Sequence, residues 1–151
     1  MINLFSKIFK SKDSKNYFSK DFENINKSKN IEKIFRLISN FSEKSEIRYV
    51  GGCIRKIINK EKVDDIDLAT NLNPVEVCKV LKKNNINYYE TGIDHGTITA
   101  LIDDHKFEIT SLRKDVVTDG RHAKVDYSSN WKEDAARRDF SINSIYSDNE
   151  G

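Results

Sequence analysis

The chain has 151 residues, of which 37% are hydrophobic and 33% charged, for a net charge of +2. That is the length of one domain with a lean core, and no stretch approaches the roughly 20 apolar residues of a membrane span. Ser6 and Lys7 interrupt the apolar amino end too early for a signal-peptide core, so the expectation is a cytoplasmic protein with no membrane partner; a short amphipathic anchor at residues 2–9 is the one membrane alternative.

The charge is uneven. Residues 1–36 hold nine Lys/Arg against four Asp/Glu, and the remainder 17 against 20. A basic arm beside an acidic body suits a metal and a nucleic acid, although such arms are often only solvated tails. Cys53 and Cys78 form no CxxC or Cys/His pattern and read as buried thiols.

In chain order, residues 1–30 read as a basic, loosely structured lead-in. Ile31, Ile34, Phe35, Leu37, Ile38 and Phe41 then fall on one helical face. Residues 47–52 read as a strand ending at Gly51-Gly52, 53–59 as a short helix, and 63–70 as a strand. Asn73-Pro74-Val75-Glu76 has the cap, the first-turn proline and the Glu three positions on that start a helix, which runs to about 83. Three β-like runs follow at 86–91, 97–102 and 106–112, the last two joined by an Asp103-Asp104 turn. Residues 113–130 are polar and read as a mobile, strand-poor loop. Residues 131–138 read as a helix, 140–146 as an apolar segment that packs, and 147–151 as turn residues on which the domain looks interrupted. The fold class expected is α+β, a small mixed sheet with helices packed on one side.

Several constellations carry chemistry. On a strand Asp65 and Asp67 share a face, and such a pair repels unless a cation lies between. They are either a divalent-metal site or solvent-facing acids at a strand edge. Glu108, in Phe107-Glu108-Ile109-Thr110 on a neighbouring strand, is a third carboxylate for two-metal chemistry, or a polar-face residue. Gly51-Gly52 lets phosphate approach backbone N–H groups, with Arg55 one turn on, or is a tight turn. Asp94-His95-Gly96-Thr97, taken alone, is a plain hairpin turn. His95, His105 and His122 lack zinc-ligand spacing. In Glu133-Asp134-Ala135-Ala136-Arg137-Arg138-Asp139 the arginines either grip phosphate and ribose or form i,i+4 pairs, Glu133–Arg137 and Asp134–Arg138.

Taken together, the segments Val50-Gly51-Gly52-Cys53-Ile54-Arg55, Asp65-Ile66-Asp67-Leu68-Ala69-Thr70, Thr91 to Thr97, Phe107 to Arg113, Asp119-Gly120-Arg121-His122-Ala123 and Glu133 to Asn143 resemble the head of class II tRNA nucleotidyltransferases, the CCA-adding enzymes, and the related bacterial poly(A) polymerases. The resemblance covers residues 31–151. It implies a nucleotidyltransferase (polymerase beta-like) fold, with Asp65 and Asp67 holding Mg²⁺ and Glu108 as third catalytic carboxylate. It further implies that Gly51, Gly52, Arg55, Arg113, Arg121, Arg138, Asp139 and Asn143 bind the nucleotide, Arg121 from a flexible loop. The implied reaction is attack of a tRNA 3′ hydroxyl on the α-phosphate of CTP or ATP, releasing pyrophosphate. A poly(A) polymerase head and an inactive RNA-binding fragment are the alternatives.

Two departures stand out. The family's GGxxRD has Lys56 in place of its last Asp, from which weakened local order is expected. The family's neck also carries an EDxxR-type element that selects C or A, and Glu133-Asp134-Ala135-Ala136-Arg137 lies inside the head motif and is not that element. The expectation is a head without neck, body and tail, either a fragment or one half of a split enzyme whose partner chain supplies them.

Overall fold

The computed structural model describes residues 28–116 and 124–151, together with Phe22 and Ile25. In chain order these form α1 (Lys29–Ser39), β1 (Ile47–Val50), α2 (Gly52–Ile58), β2 (Asp67–Thr70), α3 (Pro74–Lys83) and β3 (Asn87–Gly92). A 3₁₀ turn (Ile93–His95), β4 (Thr97–Ile102), β5 (His105–Ser111), β6 (Arg113–Val116), β7 (Lys124–Tyr127), α4 (Trp131–Ala136), a 3₁₀ turn (Ser141–Asn143) and β8 (Tyr146–Ser147) complete the order. Six strands make one mixed sheet in the order β3-β4-β5-β2-β1-β8, in which only the β2–β5 pair is parallel.

The register divides this sheet into two unlike faces, because alternate residues of a strand point opposite ways. Tyr49 lies opposite Leu68, Leu68 beside Ile109, and Ile109 opposite Ile98. All four are fully buried against Ile31, Ile34, Phe35 and Ile38 of α1, Cys53, Ile54 and Ile57 of α2, and Val77, Val80 and Leu81 of α3. The 3.6-residue spacing of those helical positions makes α1 and α3 amphipathic and fixes which side they bury. Phe41, expected on that stripe, is 42% exposed because α1 has already ended at Ser39. The start of α3 matches expectation: Asn73 accepts from the Glu76 amide at 3.0 Å, and Glu76 accepts from the Asn73 amide at 2.9 Å. Asp103 and Asp104, both at positive φ, make the tight β4–β5 turn.

The other face carries Asp67, Glu108, Thr97, Thr99 and Thr110, in register across β2, β5 and β4. One end of it is covered by α4, where Trp131 meets Val50, Ala69, Leu112 and Tyr146 and Arg48 lies 4.2 Å above the Trp131 ring. The rest is open.

Four expectations need correction. Residues 113–130 are not strand-poor: β6 and β7 pair antiparallel as a separate ribbon, from Arg113 opposite Tyr127 to Val116 opposite Lys124. Residues 117–123, and with them Arg121 and His122, lie outside the described residues. The strand expected at 63–70 begins only at Asp67, because its partner β1 turns away at Gly51. In the segment at 140–146 Phe140 is 67% and Ile142 46% exposed, and the packing falls to Ile145 and Tyr146. The lead-in is not wholly loose either: the Phe22 ring packs 5.4 Å from that of Tyr49. Most of residues 1–27, including the possible anchor at 2–9, lies outside the described residues. Among the described residues no helix is long and apolar enough to cross a membrane.

Candidate active site

Two clefts meet on the open face, and Asp67 lines both. One, of about 390 Å³, is lined by Val50, Gly51, Gly52, Asp67, Thr97, Thr110, His95, Arg113, Arg137, Arg138 and Asn143. The other, of about 450 Å³, is lined by Asp65, Ile66, Asp67, Lys106 and Glu108. The first is rich in cations and the second in carboxylates.

The carboxylates come together through strand register. Asp67 is the first residue of β2 and lies beside Glu108 on the adjacent parallel strand. Asp65 is on the extended approach to β2, not on the strand, yet it lines the same cleft. Burial pushes the Asp67 carboxyl above the usual carboxylate range, and the charges of Glu108 and Asp65 push it further, against the pull of Arg138 and Lys56. Such crowding is relieved by a cation. Among the described residues no three His, Cys, Asp or Glu side chains converge into a ready-made metal cage. The donor set therefore fits a hard divalent ion held by one or two carboxylates and completed by substrate oxygens.

Gly51 sits at φ 66°, a conformation that glycine adopts without cost, and a side chain at Gly52 would point toward Asp67, with Cβ 3.9 Å from its Oδ2. The Gly51 amide is already spent, donating to the Ile145 carbonyl at 3.0 Å. Any amide this turn offers to a phosphate therefore comes from Gly52 onward, which narrows the expectation. Lys56, where the family has Asp, has a charged neighbour. Its ammonium lies 3.6 Å from Asp64 and its charge reaches Asp67.

The arginine wall is built on a residue that the motif reading left on a helix surface. Asp134 is fully buried. Its Oδ1 accepts from the Arg113 amide at 3.1 Å and from Arg137 Nη2 at 2.7 Å, and its Oδ2 accepts from Arg138 Nε at 3.1 Å and from the Tyr146 hydroxyl. Burial alone would raise this carboxyl, but the Tyr146 hydroxyl, the Arg138 charge and the Arg137 and Arg113 donors outweigh it and hold it below the usual range. Of the two i,i+4 pairs considered, Asp134–Arg138 forms. Glu133–Arg137 does not: Glu133 accepts from Ser128 and Arg137 turns to Asp134.

The remaining expected residues divide. Arg113 lines the cleft and donates to the His95 carbonyl at 2.6 Å. Arg138 and Asn143 line it too. Arg55 does not line it but holds the Asn143 side chain at 3.1 Å. Asp139 is exposed and lines neither cleft. Sequence reading weighed Arg137 with Arg138 as a phosphate-gripping pair, and Arg137 does line the cleft; it missed Thr97, Thr110, His95 and Lys106 as lining residues, and Asp134 as the organiser of the arginines. A clue to Asp134 was present, an acid three and four residues before two arginines, but spacing does not reveal burial.

The chain that carries this arrangement is similar to known proteins. A family model described as Poly A polymerase head domain matches residues 47–151. The chain belongs to the poly(A) polymerase head-domain family. The head is 44% identical over 105 residues to human "CCA tRNA nucleotidyltransferase 1, mitochondrial", covering 69% of this chain and 24% of that protein. It is 36% identical over 108 residues to the "CCA-adding enzyme" of Lactobacillus delbrueckii subsp. bulgaricus, covering 70% of this chain and 26% of that one. Among solved structures, the Bacillus stearothermophilus CCA-adding enzyme in complex with CTP superposes with a TM-score of 0.66 at 25% identity, covering 79% of this chain and 27% of that one. The head thus has the nucleotidyltransferase fold and spans about a quarter of the length of these relatives.

Proposed function

We propose that this head domain carries the chemistry of template-independent nucleotide addition to an RNA 3′ end, adding C and A to tRNA from CTP and ATP. The observation that carries the reading is Asp67 in register with Glu108, with Asp65 beside them, at the mouth of a cleft walled by Gly52, Arg113, Arg138 and Asn143. The names of the relatives support tRNA and CTP as the substrates.

In the reaction the terminal 3′ oxygen forms a bond to the α-phosphorus, the bond to the β-phosphate oxygen breaks, and pyrophosphate leaves. Asp65 and Asp67 would hold Mg²⁺, which when bound favours the deprotonated hydroxyl and offsets charge on the leaving phosphates, with Glu108 as the third carboxylate beside them. Arg138 and Asn143 orient the phosphates and sugar from the opposite wall, and Asp134 keeps Arg138 in place before substrate arrives. Arg55 acts through Asn143. We assign Arg121 and Asp139 contacts to the nucleotide in the loaded complex. Base selection and the grip on tRNA belong to segments that the longer relatives have beyond the matched quarter, in the same protein or in a second chain. A cytoplasmic location belongs to the same reading.

The test is extension of a tRNA transcript lacking its CCA end, with CTP and ATP supplied separately. Metal-dependent addition abolished by Asp67→Ala supports the reading, and activity indifferent to that change excludes it. The family description favours one second reading, poly(A) addition: long runs of A with no use of CTP would select it.

A further inference from the structure

The cleft has one more donor that neither the motifs nor the charge pattern assigned. The 3₁₀ turn Ile93–His95 links β3 to β4 and is pinned from three directions. The Ser111 amide donates to the Gly96 carbonyl at 2.8 Å, Arg113 Nη1 to the His95 carbonyl at 2.6 Å, and the Tyr127 hydroxyl to the Ile93 carbonyl at 3.4 Å. The glycines on either side meet the remaining backbone demands. Gly96 has φ 79°, with Tyr127 3.0 Å from where a Cβ would stand, and Thr97 is equally close to Gly92. The fold thus makes no demand on the side chain at position 95, which is exposed and outside the core. Yet this pinned turn puts His95 among the residues that line the cleft, bonded through its carbonyl to Arg113 and sharing the lining with Gly52, Arg137 and Arg138.

A wall that already gathers three guanidinium groups is suited to an anion with several oxygens, and imidazole adds a compact N–H donor to it. We propose that His95 is a further binding residue of this cleft, donating a hydrogen bond to a phosphate oxygen of the bound substrate. This rests on the nucleotide-transfer reading. Two sources have the same phosphate chemistry: the triphosphate of the incoming nucleotide, and a phosphodiester next to the RNA 3′ end.

The test uses the 151-residue chain with Mg²⁺ and measures binding of CTP and, separately, of a short RNA ending in CC. The wild type is compared with His95→Ala and with His95→Gln, which retains an N–H donor. One charge-assisted hydrogen bond corresponds to a loss of about tenfold or more in affinity. Loss confined to the CTP arm in His95→Ala, with substantial recovery in His95→Gln, assigns the triphosphate; loss confined to the RNA arm assigns the phosphodiester. The chain has only three histidines, so the His95 imidazole ¹⁵N resonances can be identified from the Gln variant, and they should move on saturation with the ligand assigned. Unchanged affinity in both arms with unmoved imidazole resonances, while CTP still binds, overturns the assignment and leaves the function reading intact. A wild-type chain that binds neither ligand overturns both.

Discussion

The two faces of the central sheet obey different rules. On the helix-covered face Tyr49, Leu68, Ile98 and Ile109 are fully buried, and the residues covering them are contributed by helices with ordinary apolar periodicity. On the open face the same strands present Asp67, Glu108, Thr97 and Thr110, and like charges are held side by side. The first face stabilises the domain; the second stores unfavourable electrostatics that a ligand can relieve. One residue step along β2, from Asp67 to Leu68, separates the two roles.

Substitutions can break that contrast. The largest effect is expected from Asp67→Asn, which should lower nucleotide addition by about 10³-fold or more, a loss of several kcal/mol of transition-state stabilisation measured as kcat/KM. The same change should raise the melting temperature of the metal-free protein at pH 7. The folded carboxyl lies above its unfolded value, so its ionisation opposes folding at neutral pH. The gain should shrink as pH falls through the raised folded value and vanish below the unfolded value of about 3.9.

Asp134→Ala comes next, at about 3–5 kcal/mol in urea unfolding, because Arg137 and Arg138 lose a buried partner. The sign of its pH dependence is opposite. Asp134 is held below its unfolded value, so its contribution is present above about pH 4 and is lost as pH falls toward the depressed folded value. Leu68→Ala on the helix-covered face should cost about 3 kcal/mol by the same assay. Lys56→Ala should barely change stability but raise the Asp67 titration midpoint followed by carboxyl ¹³C NMR, since one of its two opposing cations is gone. Smallest of all, Phe140→Ser, at a 67% exposed position, should leave stability within about 0.5 kcal/mol.

Much of this was legible in the sequence where the signal is local. The Asn73–Glu76 cap, the Gly51 turn and the Asp103-Asp104 hairpin each follow from the residue types a few positions apart. Asp65, Asp67 and Glu108 were legible as candidates, but their meeting depends on β2–β5 register, which no local pattern states. The β6–β7 ribbon escaped because β6 is polar until Val116, the alternation in β7 is only Val125 and Tyr127, and the ribbon joins no core sheet. Asp134 escaped because EDAARR reads equally well as a solvated helix, and only the tertiary fold buries one of its acids. His95 escaped because a turn flanked by glycines explains itself without its side chain.

The bond from Gly51 to the Ile145 carbonyl and that from Arg55 to Asn143, the latter pair 88 residues apart, set a schedule for assembly. The helix-covered face can condense from segments ending near β5, but the cleft waits for the stretch around Asn143 to return to the glycine turn. Closing so long a loop is slow relative to local structure. During synthesis on the ribosome, therefore, the scaffold precedes the pocket, and a nascent chain with most of its core in place is still blind to nucleotide.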